Sequence, residues 1–171
     1  MKKDRLFLVS AVVILLAFTM ILMAQDTPAY VGAEKCKMCH KGEKKGMIFE
    51  QWEGEKHAHA LQPVLDEGEG ENSLCLGCHT TGHGAGGYDP ASETKDAFAG
   101  VQCEACHGPG SLYKKMSVMK DRDAAIAAGL NMPTEETCLQ CHNNSHHEDM
   151  TFDYKEAWKQ IEHRIPEEAS E

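Results

Sequence analysis

The chain has 171 residues, room for one domain or at most two, and sets 17 Lys and Arg against 27 Asp and Glu, a formal net charge of −10 at pH 7. Such a surface repels nucleic acid and favours basic partners. With only two Trp, five Phe and four Tyr, the polypeptide has little aromatic material with which to build a core of its own.

Lys2, Lys3 and Arg5 precede an apolar run from Leu6 to Ala24. This reads as a secretory signal, with a basic n-region and an apolar h-region, cleaved after Ala24. The run is long for an h-region and approaches a membrane span, and Leu22 is large for its place before the cut, so an uncleaved anchor is the alternative. Either way residues 25–171 are expected to be exported to the periplasm as a single domain. Without residues 1–24 the balance is 14 Lys and Arg against 26 Asp and Glu, a net charge of −12.

A first C-x-x-C-H motif follows at Cys36, Cys39 and His40. Lys44 to Trp52 reads as a helix, and His57 and His59 come just after it. The second motif is Cys75, Cys78 and His79. Gly82 to Ser92 (GHGAGGYDPAS) is a loop that holds His83. The third motif is Cys103, Cys106 and His107. Ser111 is placed to cap a helix from Leu112 to about Ala128, ended near Gly129. Leu112, Met116 and Met119 would form one stripe of that helix, either as apolar filler or as a source of a thioether ligand. The fourth motif is Cys138, Cys141 and His142, followed by His146 and His147, which read as a solvated loop. Asp153 to about Arg164 is helical, with Tyr154, Trp158 and Ile161 on one face, Pro166 stopping it and His163 at its end. No alternating strand pattern is evident, so the fold expected is mainly α: short helices and long loops.

All eight cysteines lie in these four motifs. Disulfides would suit an exported chain, and two zinc ribbons would use four C-x-x-C pairs, but neither needs the histidine. With ten His in 171 residues, a histidine after all four pairs by chance is about a 10⁻⁵ event. A thioredoxin-like site would need a βαβ context that is lacking. Covalent haem c accounts for all three residues. Two thiols add to the two vinyl groups on one edge of the ring, and the adjacent histidine lies under the iron. Four haems c are therefore expected, and the histidine gaps are too uneven for a solenoid. Among the remaining histidines, His57 or His59, and His163, are the candidates for the far side of an iron.

YVGAEKCKMCH, W-x4-HAHA, CLGCHTTGHGAGGY, GVQCEACHGPGS and the late FDY-x3-W-x2-I-x-H together resemble the tetrahaem cytochrome c-554 family, over about residues 30 to 163. The resemblance implies a mainly helical array with haems in close, partly stacked pairs. It implies that His57 reaches the third haem and His163 the fourth. It also implies that the second haem, on His79, is five-coordinate and open to NO. The family's named member takes electrons from hydroxylamine oxidation. In that family the first haem takes a histidine from the segment after CHGPG. Here that segment, SLYKKMSVMKDRD, has none, which makes Met119, or else Met116, the substitute.

Three functions are open at this point. The first is a periplasmic electron-transfer cytochrome, with axial ligands tuning the potentials and basic redox proteins as partners. The second is a reductase of NO or another small nitrogen oxide at an open second haem, with His83 as proton donor. The third is a subunit of a membrane-bound or filamentous assembly, the membrane form needing an uncleaved anchor.

Overall fold

The computed structural model describes residues 27–143, 147 and 151–166. The expected signal or anchor over residues 1–24 and His146 lie outside them. The described chain is made of short helices: α1 Ala33–His40, α2 Ile48–Glu53, α3 Leu61–Asp66, α4 Ser73–His79, α5 Cys103–His107, α6 Met116–Met119, α7 Arg122–Ala127, α8 Glu135–Leu139 and α9 Tyr154–Ile161. The one β pairing among them is an isolated antiparallel bridge between Thr80 and Ala99. The mainly helical expectation holds.

Side-chain caps fix where four of the helices begin. The side chains of Asn72, Asp121 and Asp153 accept from Leu74, Ala124 and Glu156 N–H, and Thr134 and Thr137 form a capping box. Two expected helices are broken. Lys44–Trp52 divides into a 3₁₀ turn over Glu43–Lys45 and α2, because Gly46 and Met47 both take positive φ. Leu112–Ala128 divides into α6 and α7. Its intended cap is used elsewhere: Ser111 Oγ accepts from Ala29 N–H at 2.8 Å. The helix near the C-terminus begins after Asp153 as expected but stops at Ile161, with Glu162 extended. His163 is thereby swung off the helix face.

The protein core is small. A cluster of Leu61, Val64, Leu76 and Tyr88 packs α3 against α4, with Cys75, Phe98 and Ala99 at its edge. Around α5 the interior is polar and fully bonded. Glu104 is 1% exposed, and its carboxylate accepts N–H from Val31 (3.0 Å), Gly32 (2.7 Å) and Gly110 (2.6 Å). Gln102 accepts from Ala33 N–H at 2.8 Å and donates to the Ala97 and Ala99 carbonyls at 3.0 Å. Thr81 joins them, donating to Gly100 O and accepting from Gln102 N–H, each at 2.8 Å. Buried polar groups need such partners, and these fasten α1, α5 and the bridge into one frame.

Candidate functional site

Each C-x-x-C-H motif sits on a short helix or at its end. In the first three sockets the motif closes α1, α4 and α5; in the fourth, Cys138 is on α8 and Cys141 and His142 follow it. One helical turn sets residues i, i+3 and i+4 side by side, so the two thiols of a socket project together with the histidine beside them. All eight thiols are unpaired. Among the described residues no three His, Cys, Asp or Glu side chains converge to hold a metal ion by themselves. The cysteines thus form neither disulfides nor a tetrahedral sulfur site there.

The sockets touch one another. Cys36 of the first donates a hydrogen bond to Cys103 of the third, which holds Cys36 well above the ordinary thiol range and lowers Cys103. Cys78 of the second meets Cys141 of the fourth; burial first, then this contact, pushes Cys141 up to about 12. Cys106 of the third, pushed up to about 11 chiefly by burial, feels Cys138 of the fourth. The first socket thus meets the third and the second meets the fourth, and the third and fourth lie within electrostatic reach of each other.

Three imidazole pairs span them. The rings of His57 and His142 have centroids 6.0 Å apart, with planes at 65°. His107 and His163 are likewise 6.0 Å apart at 65°, and His79 and His147 are 6.0 Å apart at 57°. A metal between two imidazoles takes bonds of about 2 Å to each nitrogen, and half a ring at either end brings the centroids to about 6 Å. His57 therefore faces the fourth socket and His163 the third, the reverse of what the resemblance implied. The cause is side-chain direction. The His57 backbone is fastened near the third socket, where its carbonyl accepts from Val101 N–H at 2.8 Å and Val101 O accepts from Trp52 Nε1–H at 2.9 Å, yet its ring points across to His142.

Backbone carbonyls orient the rings. His79 Nδ1–H donates to Ala60 O at 2.6 Å, His107 Nδ1–H to Asn131 O at 2.9 Å and His163 Nδ1–H to Ile161 O at 3.1 Å. Each bond leaves Nε2 with its lone pair free, the tautomer a metal takes. Burial is the first cause holding His40, His57, His107 and His142 below the ordinary imidazole value, so they are neutral near pH 7. Phe152 stacks on His142, with centroids 4.6 Å apart and planes at 13°.

The other candidates are placed differently. His59 uses Nε2–H on Glu53 O at 3.0 Å, which occupies the nitrogen a ligand would need. His83 donates Nδ1–H to Tyr88 O at 3.1 Å and packs its ring on Tyr88. No ring among the described residues is paired with His40. Of the two methionines, Met116 is 65% exposed and Met119 half-buried, both on α6.

Comparison with known proteins agrees with the sockets. The family model described as cytochrome c554 and c-prime matches residues 35–108, which hold three of the four motifs. Cytochrome c-554 of Nitrosomonas europaea is 28% identical over 148 residues, 71% of this chain and 60% of that protein, so the chain spans well under two thirds of this relative's length. The chain is thus similar to cytochrome c-554 in sequence over three of its four motifs, and shares its fold. The solved reduced state of cytochrome c554 from the same organism shares the fold at a TM-score of 0.60, covering 79% of this chain and 84% of that one at 24% identity.

Similarity to cytochrome c-554 points to covalent haem c, and the residues fit that group. The thiols are unpaired and set in pairs one turn apart, and the rings of His79 and His107 are held with Nε2 free. Apolar side chains within the sockets stand in water: Met38 is 71% exposed, Leu74 66% and Leu139 40%. A porphyrin face would cover such surface. Sequence reasoning missed two features here. Glu104, inside C-E-A-C-H, shows no local signal of its bonds to Val31 and Gly32. His147 lies exposed and outside any helix, as the loop reading had it, but the reading did not place its ring against His79.

Proposed function

We propose that the protein is an exported, periplasmic tetrahaem cytochrome that carries electrons between redox partners. Haem c supplies a one-electron iron couple. The observation that carries the reading is the close approach of the sockets, Cys36 to Cys103 and Cys78 to Cys141, together with the imidazole pairs that span them. A carrier needs centres in near contact and no substrate cavity, and this chain spends its cysteines on such centres.

In this reading the eight cysteines form the thioethers, and His40, His79, His107 and His142 are the proximal ligands. His57 serves the fourth socket and His163 the third. Met119, the less exposed methionine, serves the first socket, with Met116 as the alternative. The residues of each socket hold, orient and desolvate; burial keeps the imidazoles neutral and ready to ligate. The acidic surface, −12 without residues 1–24, attracts basic redox proteins. Among the described residues no helix is long and apolar enough to cross a membrane.

Stopped-flow mixing of the reduced holoprotein with an oxidised basic c-type cytochrome tests this. Rapid exchange, slowed at least about tenfold by raising salt to 0.5 M, is expected. Failure to exchange electrons with basic or acidic partners, together with steady consumption of NO, would instead make the protein an enzyme.

A further inference from the structure

We infer that His147 is the sixth ligand of the second socket, so that the iron held by His79 is closed at rest. This rests on the haem-carrier reading and departs from the open second haem that the resemblance implied. The ring of His147 stands 6.0 Å from that of His79, the same spacing as in the His57–His142 and His107–His163 pairs. His147 is exposed and outside any helix, yet its ring takes the spacing of the other two pairs.

The facing ring is fixed first. His79 Nδ1–H donates to Ala60 O at 2.6 Å, so its Nε2 is the nitrogen left free. The chain then delivers the second imidazole. His147 is five residues beyond His142, and Cys141 beside His142 already touches Cys78 of the second socket. Five residues of chain reach up to about 17 Å, ample to carry a side chain from one socket to the far side of its neighbour. The rival, His83, has its ring against Tyr88, with centroids 6.4 Å apart, and among the described residues forms no pair with His79.

One short segment would then serve two centres, with His142 proximal to the fourth and His147 distal to the second. A small molecule could bind at the second socket only after His147 left. The second socket is thus a bis-imidazole site, with the low potential of that ligand set.

The test compares the holoprotein with its His147→Ala and His83→Ala variants by low-temperature EPR of the oxidised form and CO binding to the reduced form. His147→Ala is expected to gain one high-spin haem and one CO equivalent per chain over the parent, and added free imidazole should reverse the spin change. His83→Ala should gain neither. An unchanged spin count in His147→Ala, or a gain in His83→Ala instead, overturns the inference. If His147→Ala folds poorly, His147→Met should stay low-spin and acquire the long-wavelength thioether–iron band; its absence likewise overturns the inference. Haem content of the parent separates this outcome from the prior reading: a parent without covalent haem refutes the cytochrome itself, whereas a haem-loaded parent with no response at position 147 refutes only the ligand.

Discussion

Glu104 accepts the backbone N–H of Gly32 at 2.7 Å, a bond that joins the entry to the first socket to the middle of the third. The same carboxylate holds Val31 and Gly110, and it is almost wholly buried. Hydrogen bonds to a charged acceptor are worth about 1.5–3 kcal/mol each, and orphaned buried donors cost about as much. Glu104→Ala is therefore expected to lose about 3–5 kcal/mol, lowering Tm by about 10 °C or more in a thermal melt of the holoprotein. A change of under about 2 °C would mean the network is not structural.

Gly100 has φ +75°, and a Cβ there would collide with the carbonyl of Ala58 and stand 3.0 Å from His57 O. The left-handed backbone alone costs about 1–2 kcal/mol for a side chain. Gly100→Ala is expected to lose at least about 2 kcal/mol, about 5 °C in Tm, and, if His57 serves the fourth socket as proposed, to disturb the spectrum of its haem. Near-parental stability would contradict the close approach.

The crossed pairing of His57 and His163 has its own test. When the fourth socket is removed by Cys138→Ala and Cys141→Ala, adding His57→Ala should create no further high-spin haem, while adding His163→Ala should create one. The opposite pattern in EPR would restore the pairing that the family resemblance implied.

Tyr113 donates its hydroxyl to Gly108 O at 2.7 Å and is buried beside Glu104. Burial first, then the Glu104 carboxylate, holds the phenol well above its ordinary value of 10.0. Folded Tyr113 thus keeps its proton where the unfolded chain has lost it. Its contribution to stability is full below about pH 10 and falls as pH rises further. Melts taken between pH 8 and 11.5 should show a Tm that drops above pH 10, and Tyr113→Phe, at a cost of about 1 kcal/mol at pH 8, should flatten that drop. An equal slope in both proteins would contradict the assignment.

The four sockets were legible in the sequence because C-x-x-C-H is a local pattern: one helical turn decides which side chains meet. His57 and His163 were legible as candidates to face another socket's ring, but not which ring each would face. Which socket a ring faces depends on Trp52 and Val101 fixing a backbone, and on Glu162 turning the chain out of α9. The long helix expected after Ser111 failed for a similar reason. Local propensity favoured it, but Ser111 was used by Ala29, over eighty residues earlier in the chain. His147 and Glu104 were invisible because their partners are equally remote, and no periodicity reports a contact between chain segments that meet only after folding.

Intact mass of the purified, fully denatured holoprotein tests the central claim most directly. Covalent attachment at all four sockets predicts the mass of the mature chain plus four haems, retained under denaturation and unaffected by thiol-alkylating reagents. A chain that sheds its haem, carries fewer than four, or leaves socket cysteines open to alkylation would contradict the account.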